Sequence, residues 1–307
     1  MTRRTFPSLV ALVVGFTGIA AHAVPMDNLL EQAQATAELV RQLSPATDVP
    51  ALATYGTANA VSDAFGTLRM PPTPDGSSWW LDLPVGAVRR QIAHDGTRVF
   101  ATPDPGVDLT TTTLTDGVQV ATVTRNAAAS TETTYRLGGD VIASLGDDGG
   151  VIIGRRVTGA RVAGHDWRPV VTLGQLNAPW ARDAAGNAVA TRYVLDNGAI
   201  VQEIDHRAST TNYPVVADPR VVFEPLPYVY LGRLETAVAS TLEGAAAFCD
   251  ILGNIPSIGP IAAGLCRSRV TKVAFEAQKQ ADAGKCVAYL FAPPLVTSKG
   301  HNGDFCD

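Results

Sequence analysis

Thr191-Arg192-Tyr193-Val194-Leu195-Asp196-Asn197-Gly198-Ala199-Ile200-Val201-Gln202-Glu203-Ile204-Asp205-His206 reads as a strand, a turn and a second strand. Residues 191 to 195 alternate with the period of two that half-buried strands show. Asn-Gly tolerates the positive φ of a type I′ turn, so Asn197-Gly198 reverses the chain between two paired strands. Side chains alternate along a strand, which puts Glu203 and Asp205 on one face and His206 on the other, over a core of Ile200 and Ile204.

The same signal recurs outward from this hairpin. Asp75-Gly76, Asp95-Gly96, Asp116-Gly117 and Asp148-Gly149 punctuate short runs of Val, Ile, Thr, Tyr and Trp between about Ser62 and Phe223. Each predicts another reversal of type I′, and Val118 to Thr124 alternates like a strand. Residues 61–223 are therefore expected to form an antiparallel β-sandwich or curved meander of about ten strands.

Helical spacing flanks this β-rich region on both sides. Leu29, Leu30, Ala33, Ala37, Val40 and Leu43 define an amphipathic helix over Asp27 to Leu43, stopped by Pro45 and Pro50. Residues 24–60 are thus an N-terminal helix and linker. The helical pattern returns at Leu231, Leu234, Val238, Leu242 and Cys249, breaks at Gly253-Asn254-Ile255-Pro256, and resumes from Ser257 to Ala283. Gly253 is expected to close the first arm in the left-handed conformation. The fold class is accordingly α+β, with residues 224–307 forming a helical hairpin and a short β tail.

All four cysteines, Cys249, Cys266, Cys286 and Cys306, lie in that last region. An even number in an exported chain points to disulfides, and three pairings are possible. Cys249–Cys266 with Cys286–Cys306 closes the shortest loops; the first bridge would staple the helical hairpin and the second would pin the tail. Zinc is the competing use of these thiols, but no pair has the close spacing of a metal knuckle.

Arg3 and Arg4, the apolar run Leu9 to Ala20 and Ala21-His22-Ala23 form a signal-peptide pattern, with cleavage expected after Ala23. The apolar run is short of a membrane span and no later stretch is long enough either, so no transmembrane anchor is expected in the mature chain. Arg3-Arg4 also has the look of a twin-arginine signal, although the general route suits the short, strongly apolar segment better. With a formal net charge of −5 and scattered bases, a nucleic-acid partner is not expected.

Three pieces stand together near the centre: Pro179 to Gly186; Thr191-Arg192-Tyr193 with Val201 to His206; and Tyr213-Pro214-Val215-Val216-Ala217-Asp218-Pro219. In these the chain resembles a group of uncharacterised secreted actinobacterial proteins whose β-rich domain closes in Tyr-Pro-Val-x-Ala-Asp-Pro. Similar closing segments occur in large secreted proteins with YD-type repeats. The resemblance spans about Trp167 to Asp307, including the Cys-bearing hairpin. It implies secretion and a shared architecture, and it transfers no activity and no catalytic residue.

Candidate chemistry is sparse. Glu203 and Asp205 offer an acid pair for acid–base work or cation binding, with His206 as a base from the other face; the plainer reading is a solvated polar face. Ile142-Ala143-Ser144-Leu145-Gly146 lacks the first glycine of a nucleophile elbow. Gly146-Asp147-Asp148-Gly149-Gly150 reads as a tight turn rather than a calcium loop. Trp79 and Trp80 are adjacent, so on a strand they face opposite ways and one can stand exposed, with Trp167 and Trp180, as an aromatic platform for sugar rings. No His-Glu-x-x-His, phosphate loop or nucleotide fingerprint is present, so no cofactor and no metal are expected.

The function expected from these readings is a non-enzymatic binding module outside the cytoplasm, with a cell-envelope glycan or another envelope protein as partner. Trp79, Trp80, Glu203, Asp205 and His206 form the expected binding surface. Two alternatives come from other classes: a secreted effector with a membrane-active hairpin around Phe248 to Cys266, and a hydrolase with a site assembled from His94, His165, Asp183 and His206.

Overall fold

The computed structural model describes residues 26–45, 61–62, 66–70, 78–84, 88–114, 117–157, 161–162, 164–222, 227–255 and 259–306. The expected signal peptide (1–23), most of the linker before residue 60 and the Asp75-Gly76 turn lie outside them. Helix α1 (Met26–Leu43) comes first. Strands β1 (Val61–Ser62), β2 (Thr67–Arg69), β3 (Trp80–Asp82), β4 (Val88–Ile92), β5 (Arg98–Ala101) and β6 (Val107–Thr113) follow. Then come β7 (Gly117–Thr124), β8 (Glu132–Gly138), β9 (Ile142–Leu145), β10 (Val151–Arg156), β11 (Arg161–Val162) and β12 (His165–Asp166). After these run β13 (Val170–Leu176), β14 (Trp180–Arg182), β15 (Thr191–Asp196), β16 (Ala199–Ile204), β17 (Val215–Asp218), β18 (Arg220–Val222) and β19 (Tyr228–Tyr230). The chain ends in α2 (Arg233–Ala239), α3 (Leu242–Leu252), α4 (Gly259–Ser268), α5 (Val270–Asp282), β20 (Cys286–Ala292) and β21 (Leu295–His301).

The α+β class is as expected: an N-terminal helix, antiparallel sheets and a stapled C-terminal helical region. Two sheets pack face to face. One has six strands in the order β1-β2-β3-β8-β16-β15; the other has thirteen, with β21-β20-β19-β13-β18-β7-β6-β5-β4 as its main path. Leu68, Leu81, Tyr135, Tyr193 and Ile200 of the first sheet meet Phe100, Leu109, Val118, Val120, Ile153 and Leu176 of the second in a common core. The region 61–223 holds more strands than the ten expected, because the strands are short and interrupted: β10, for example, shifts register between Ile153 and Gly154 where it pairs with β13.

Turn chemistry explains the hairpins and corrects one expectation. Asp116 of Asp116-Gly117 also lies outside the described residues; among the expected turns that are described, Asn197-Gly198 alone has positive φ at both positions, 48° and 79°, closing the two-residue loop between β15 and β16 as type I′ requires. At Asp95-Gly96 and Asp148-Gly149 the glycine alone is left-handed. There the amide of Gly96 bonds to the Ala93 carbonyl and that of Ala93 to Thr97, and Gly149 and Gly146 repeat the pattern with Gly146 and Gly150. These are three-residue loops, a type I turn followed by a left-handed glycine, rather than type I′ turns. Asp183-Ala184-Ala185-Gly186-Asn187 makes a third such loop, although it lacks the Asp-Gly signal.

Helix α1 lies on the outer face of the larger sheet, with Val40 and Leu43 against Ala121, Val123 and Val216. At the other end of that sheet, β19–β21 carry α2–α5, and Trp167, Phe248, Tyr289 and Phe291 centre a second core. Each arm of the expected hairpin is two helices. The first breaks at Ser240-Thr241, where the Thr241 hydroxyl accepts from the Gly244 amide at 3.0 Å and caps α3. The second breaks at Arg269, whose φ of −129° and ψ of 22° are not helical. Gly253 is right-handed, φ −58°, so the first arm ends without the expected left-handed cap. Buried Glu235 accepts from the Gly232 amide at 2.9 Å and from the Arg168 amide, tying the start of α2 to the strand layer. Burial pushes its carboxyl above the ordinary value despite those bonds.

Both bridges have the expected pairing. Cys249–Cys266 links α3 to α4, and Cys286–Cys306 links the start of β20 to the turn after β21. No helix among the described residues is long and apolar enough to cross a membrane.

Candidate binding face

Register determines what stands on the outer face of the six-stranded sheet, because directly paired residues of antiparallel strands point the same way. Ile200, Gln202 and Ile204 of β16 point inward and are buried, so Ala199, Val201 and Glu203 point outward. The pairing then places successive rows on that face: Arg69, Trp80 and Gly138; Thr67, Asp82, Arg136, Ala199 and Asp196; Thr134, Val201 and Val194; Glu132, Glu203 and Arg192. From Gly138 to Glu132 the face runs roughly 20 Å at the rise of an extended strand. Helix α1 packs on β4, β5, β7 and β17 of the other sheet, and α2–α5 pack on one another and on β20 and β21.

Trp80 is the large aromatic of this face. It is half-buried, because its indole lies directly on Gly138: a Cβ there would come within 2.0 Å of Trp80 Cε2. A glycine on the neighbouring strand thus seats the ring flat against the sheet, the way aromatics cover glycines in sheets. The Arg69 guanidinium stands 5.9 Å from the ring centroid. The indole is therefore covered in part by Gly138 and Arg69, and Asp82 and Arg136 occupy the next row of the same outward face. Trp79, its neighbour, points inward and is 2 % exposed within the sandwich core.

The far end of the face opens into a groove of about 540 Å³ lined by Thr131, Glu132, Ala190, Thr191, Arg192, Glu203, Ile204 and Asp205. Arg192 Nε donates to Glu203 at 2.6 Å. Glu203 stands directly opposite Glu132 on β8, and like charges so placed are unfavourable, so Arg192 relieves a repulsion rather than adding much stability. β16 ends at Ile204, and Asp205 lies beyond it, exposed, with its amide bonded to the Ala190 carbonyl at 2.9 Å. The expected strand geometry through His206 therefore does not extend that far.

His206 is fully buried, with Nδ1 2.9 Å from the Tyr213 hydroxyl and Nε2 3.0 Å from the Ser130 carbonyl. Both ring nitrogens are engaged, and Tyr213 in turn donates to the His206 carbonyl at 2.6 Å. This is a clamp on the 205–214 loop, not a base facing the groove. Asp183 is the hub of its own turn, accepting from the amides of Ala185, Asn187 and Asn212 and from the side chains of Asn187 and Asn212. Burial works to raise its pKa, but these bonds together outweigh it and hold the carboxyl at about 2.

The remaining candidates are dispersed. His94 lies exposed in the β4–β5 turn and His165 lies exposed on β12, away from the structural roles of Asp183 and His206. Ser144 is buried on β9, its hydroxyl directed to the Leu145 carbonyl at 3.3 Å. Gly146 to Gly150 is a tight turn, with the Gly150 amide bonded to Asp148. Trp167 is buried against Phe248, at 6.1 Å between ring centroids, and Trp180 packs beside α1. Among the described residues no three His, Cys, Asp or Glu side chains come together as metal ligands would.

Sequence reasoning passed over Arg69, Asp82 and Arg136, which frame Trp80 only through register. It quoted Asp218 within a motif without foreseeing its burial. The chain matches no protein-family model and no curated protein sequence.

Proposed function

We propose that the protein is an exported, non-enzymatic binding module that takes a glycan of the cell envelope on the outer face of its six-stranded sheet. The observation that carries this reading is Trp80, half-buried against Gly138 on the outward face, with Arg69 over its ring and Asp82 and Arg136 in the adjacent row. A sugar ring presents C–H groups to an aromatic face and hydroxyls at its rim, and planar guanidinium and carboxylate groups around an indole suit both. The groove of Glu132, Arg192, Glu203 and Asp205 extends the same face toward further polar rings. Two disulfides support a place in an oxidising compartment, where such bonds persist.

The test is retention of the disulfide-bonded protein on purified cell-wall material, comparing the wild type with Trp80→Ala. Trp80 is only half-buried and its loss leaves the core intact, so the variant should fold and bind at least about tenfold more weakly, the scale of one lost aromatic stack. Failure of the wild type to bind any envelope fraction, or undiminished binding by Trp80→Ala, would sink the reading.

A further inference from the structure

A carboxyl lies buried beside the C-terminal turn of α1. Asp218, 3 % exposed, shares the face of β17 that carries Val216 and, through it, Val40 and Leu43 of α1. Its side chain accepts from the indole of Trp180 and the amide of Gln119. Gln119 Nε2 also donates to the Ser44 hydroxyl at 2.9 Å, and Ser44 donates on to the Val40 carbonyl at 2.7 Å, so the contact runs directly into the last turn of the helix. Trp180 packs against the same Val40–Leu43 cluster, and Arg182 Nη1 reaches the Leu43 carbonyl at 3.4 Å. The polar contacts to the end of α1 thus come from Gln119, a direct partner of Asp218, and from Arg182 on β14, beside the apolar packing on Ala121, Val123 and Val216.

We propose that Asp218 is a protonation switch for α1: the helix stays docked while this carboxyl is neutral and releases from its C-terminal end when the carboxyl ionises. An ionised carboxylate in so dry a site must regain water, and the question is which cover moves. Strand β17 is held between β7 and β14, and the Asp218 carbonyl is tied to the facing sheet by Gln202 Nε2 at 3.0 Å and the Tyr193 hydroxyl at 3.3 Å. Helix α1 is the looser cover, since its buried side is mostly Ala33, Thr36 and Ala37, with Val40 and Leu43 at one end. Its C-terminus also carries the negative end of the helix dipole, of like sign to the carboxylate.

The charges around the site leave burial dominant. Arg220 on β18 attracts the carboxylate, while Arg182 on β14 is directed to the Leu43 carbonyl. On α1, Glu38 and Arg41 pair with each other on the exposed side. Asp108 on β6 pairs with Arg125, which also reaches Thr36. From the facing sheet come the hydroxyls of Tyr135 and Tyr193, both held neutral by burial. Burial accordingly pushes Asp218 up to about 7. A raised value means that docking is fully supported below the ordinary carboxyl range and loses that support as pH rises through about 7. The opening constant should climb by up to about tenfold per pH unit between about 4 and 7, then level off.

This inference is independent of the binding face. The experiment is hydrogen exchange of the full, disulfide-bonded chain, followed for peptides of α1 at pH 5.0 and 7.5 and corrected for intrinsic rates. The wild type should lose at least about tenfold of its α1 protection between those values, whereas Asp218→Asn should lose less than twofold. Unchanged α1 protection in the wild type, or an equal loss in Asp218→Asn, would overturn the switch. If Asp218→Asn does not fold, Ser44→Ala reads the same relay from the helix side: it should cost protection at pH 5.0 and little at pH 7.5, and equal costs at both would count against the proposal.

Discussion

His301 shows how one residue can be visible in a sequence and illegible in role. It is the histidine nearest the four cysteines in sequence, yet it is 7 % exposed, with Nε2 3.2 Å from the Leu231 carbonyl and its ring edge-on to Tyr230 at 4.8 Å. Burial pushes its pKa down to about 4. A lowered histidine value means that its contribution is intact above the ordinary value near 6.5 and is lost as pH falls toward 4. His301 should therefore pull the melting temperature down across that window, by an amount worth on the order of 1–3 kcal/mol, so that wild type loses more stability than His301→Gln as pH falls. Identical pH slopes for wild type and His301→Gln from pH 7 to 4 would contradict this. Trp79 and Trp80 are the opposite case: strict alternation made one inward and one outward from adjacency alone, and the structure added only which was which.

At the level of the element, legibility followed the strength of the local rule. Asn197-Gly198 closed the hairpin it announced, because no other common pair accepts two positive φ values so readily. Asp95-Gly96 and Asp148-Gly149 marked reversals correctly but not their type, since one left-handed glycine serves a three-residue loop equally well. The helical hairpin was visible in its periodicity, while the breaks at Thr241 and Arg269 were not, because both halves of each arm keep one apolar face against a shared core. Cys249–Cys266 joins α3 and α4 across 17 residues. Replacing both cysteines by serine should cost about 3 kcal/mol, the loop-entropy scale for that length, with α3 and α4 exchanging first in hydrogen-exchange measurements. A loss confined to the β-sandwich with those helices still protected would show that the staple acts elsewhere.

Across the whole molecule the decisive feature is one sheet that outruns the expected division of the chain. The boundary expected between residues 223 and 224 lies outside the described residues, and the sheet continues past it. β13 pairs with β18 through Gln175 and Leu176 and with β19 through Val170 and Val171, and β19 passes the ladder on to β20 and β21. A chain ending at Val222 would leave half of β13 as an open edge and bare Trp167 and Val171. Such a fragment should aggregate or melt without a cooperative transition; a soluble, monomeric, cooperatively melting fragment would show that the two parts fold separately.

Composition, spacing and turn residues by themselves determined the α+β class, the N-terminal helix, the antiparallel strands and the helical hairpin, and favoured, among three possibilities, the cysteine pairing that the structure has. These follow from rules that act over a few residues or along one loop: side-chain alternation, helical period, positive φ at glycine and short loop closure. Tertiary structure alone decided that Trp80 rests on Gly138, that His206 is spent on Tyr213 and Ser130, and that Asp218 lies dry beside α1. Each of those depends on strand register and sheet order between residues far apart in the chain, and a one-residue slip of register would send every such side chain to the other face.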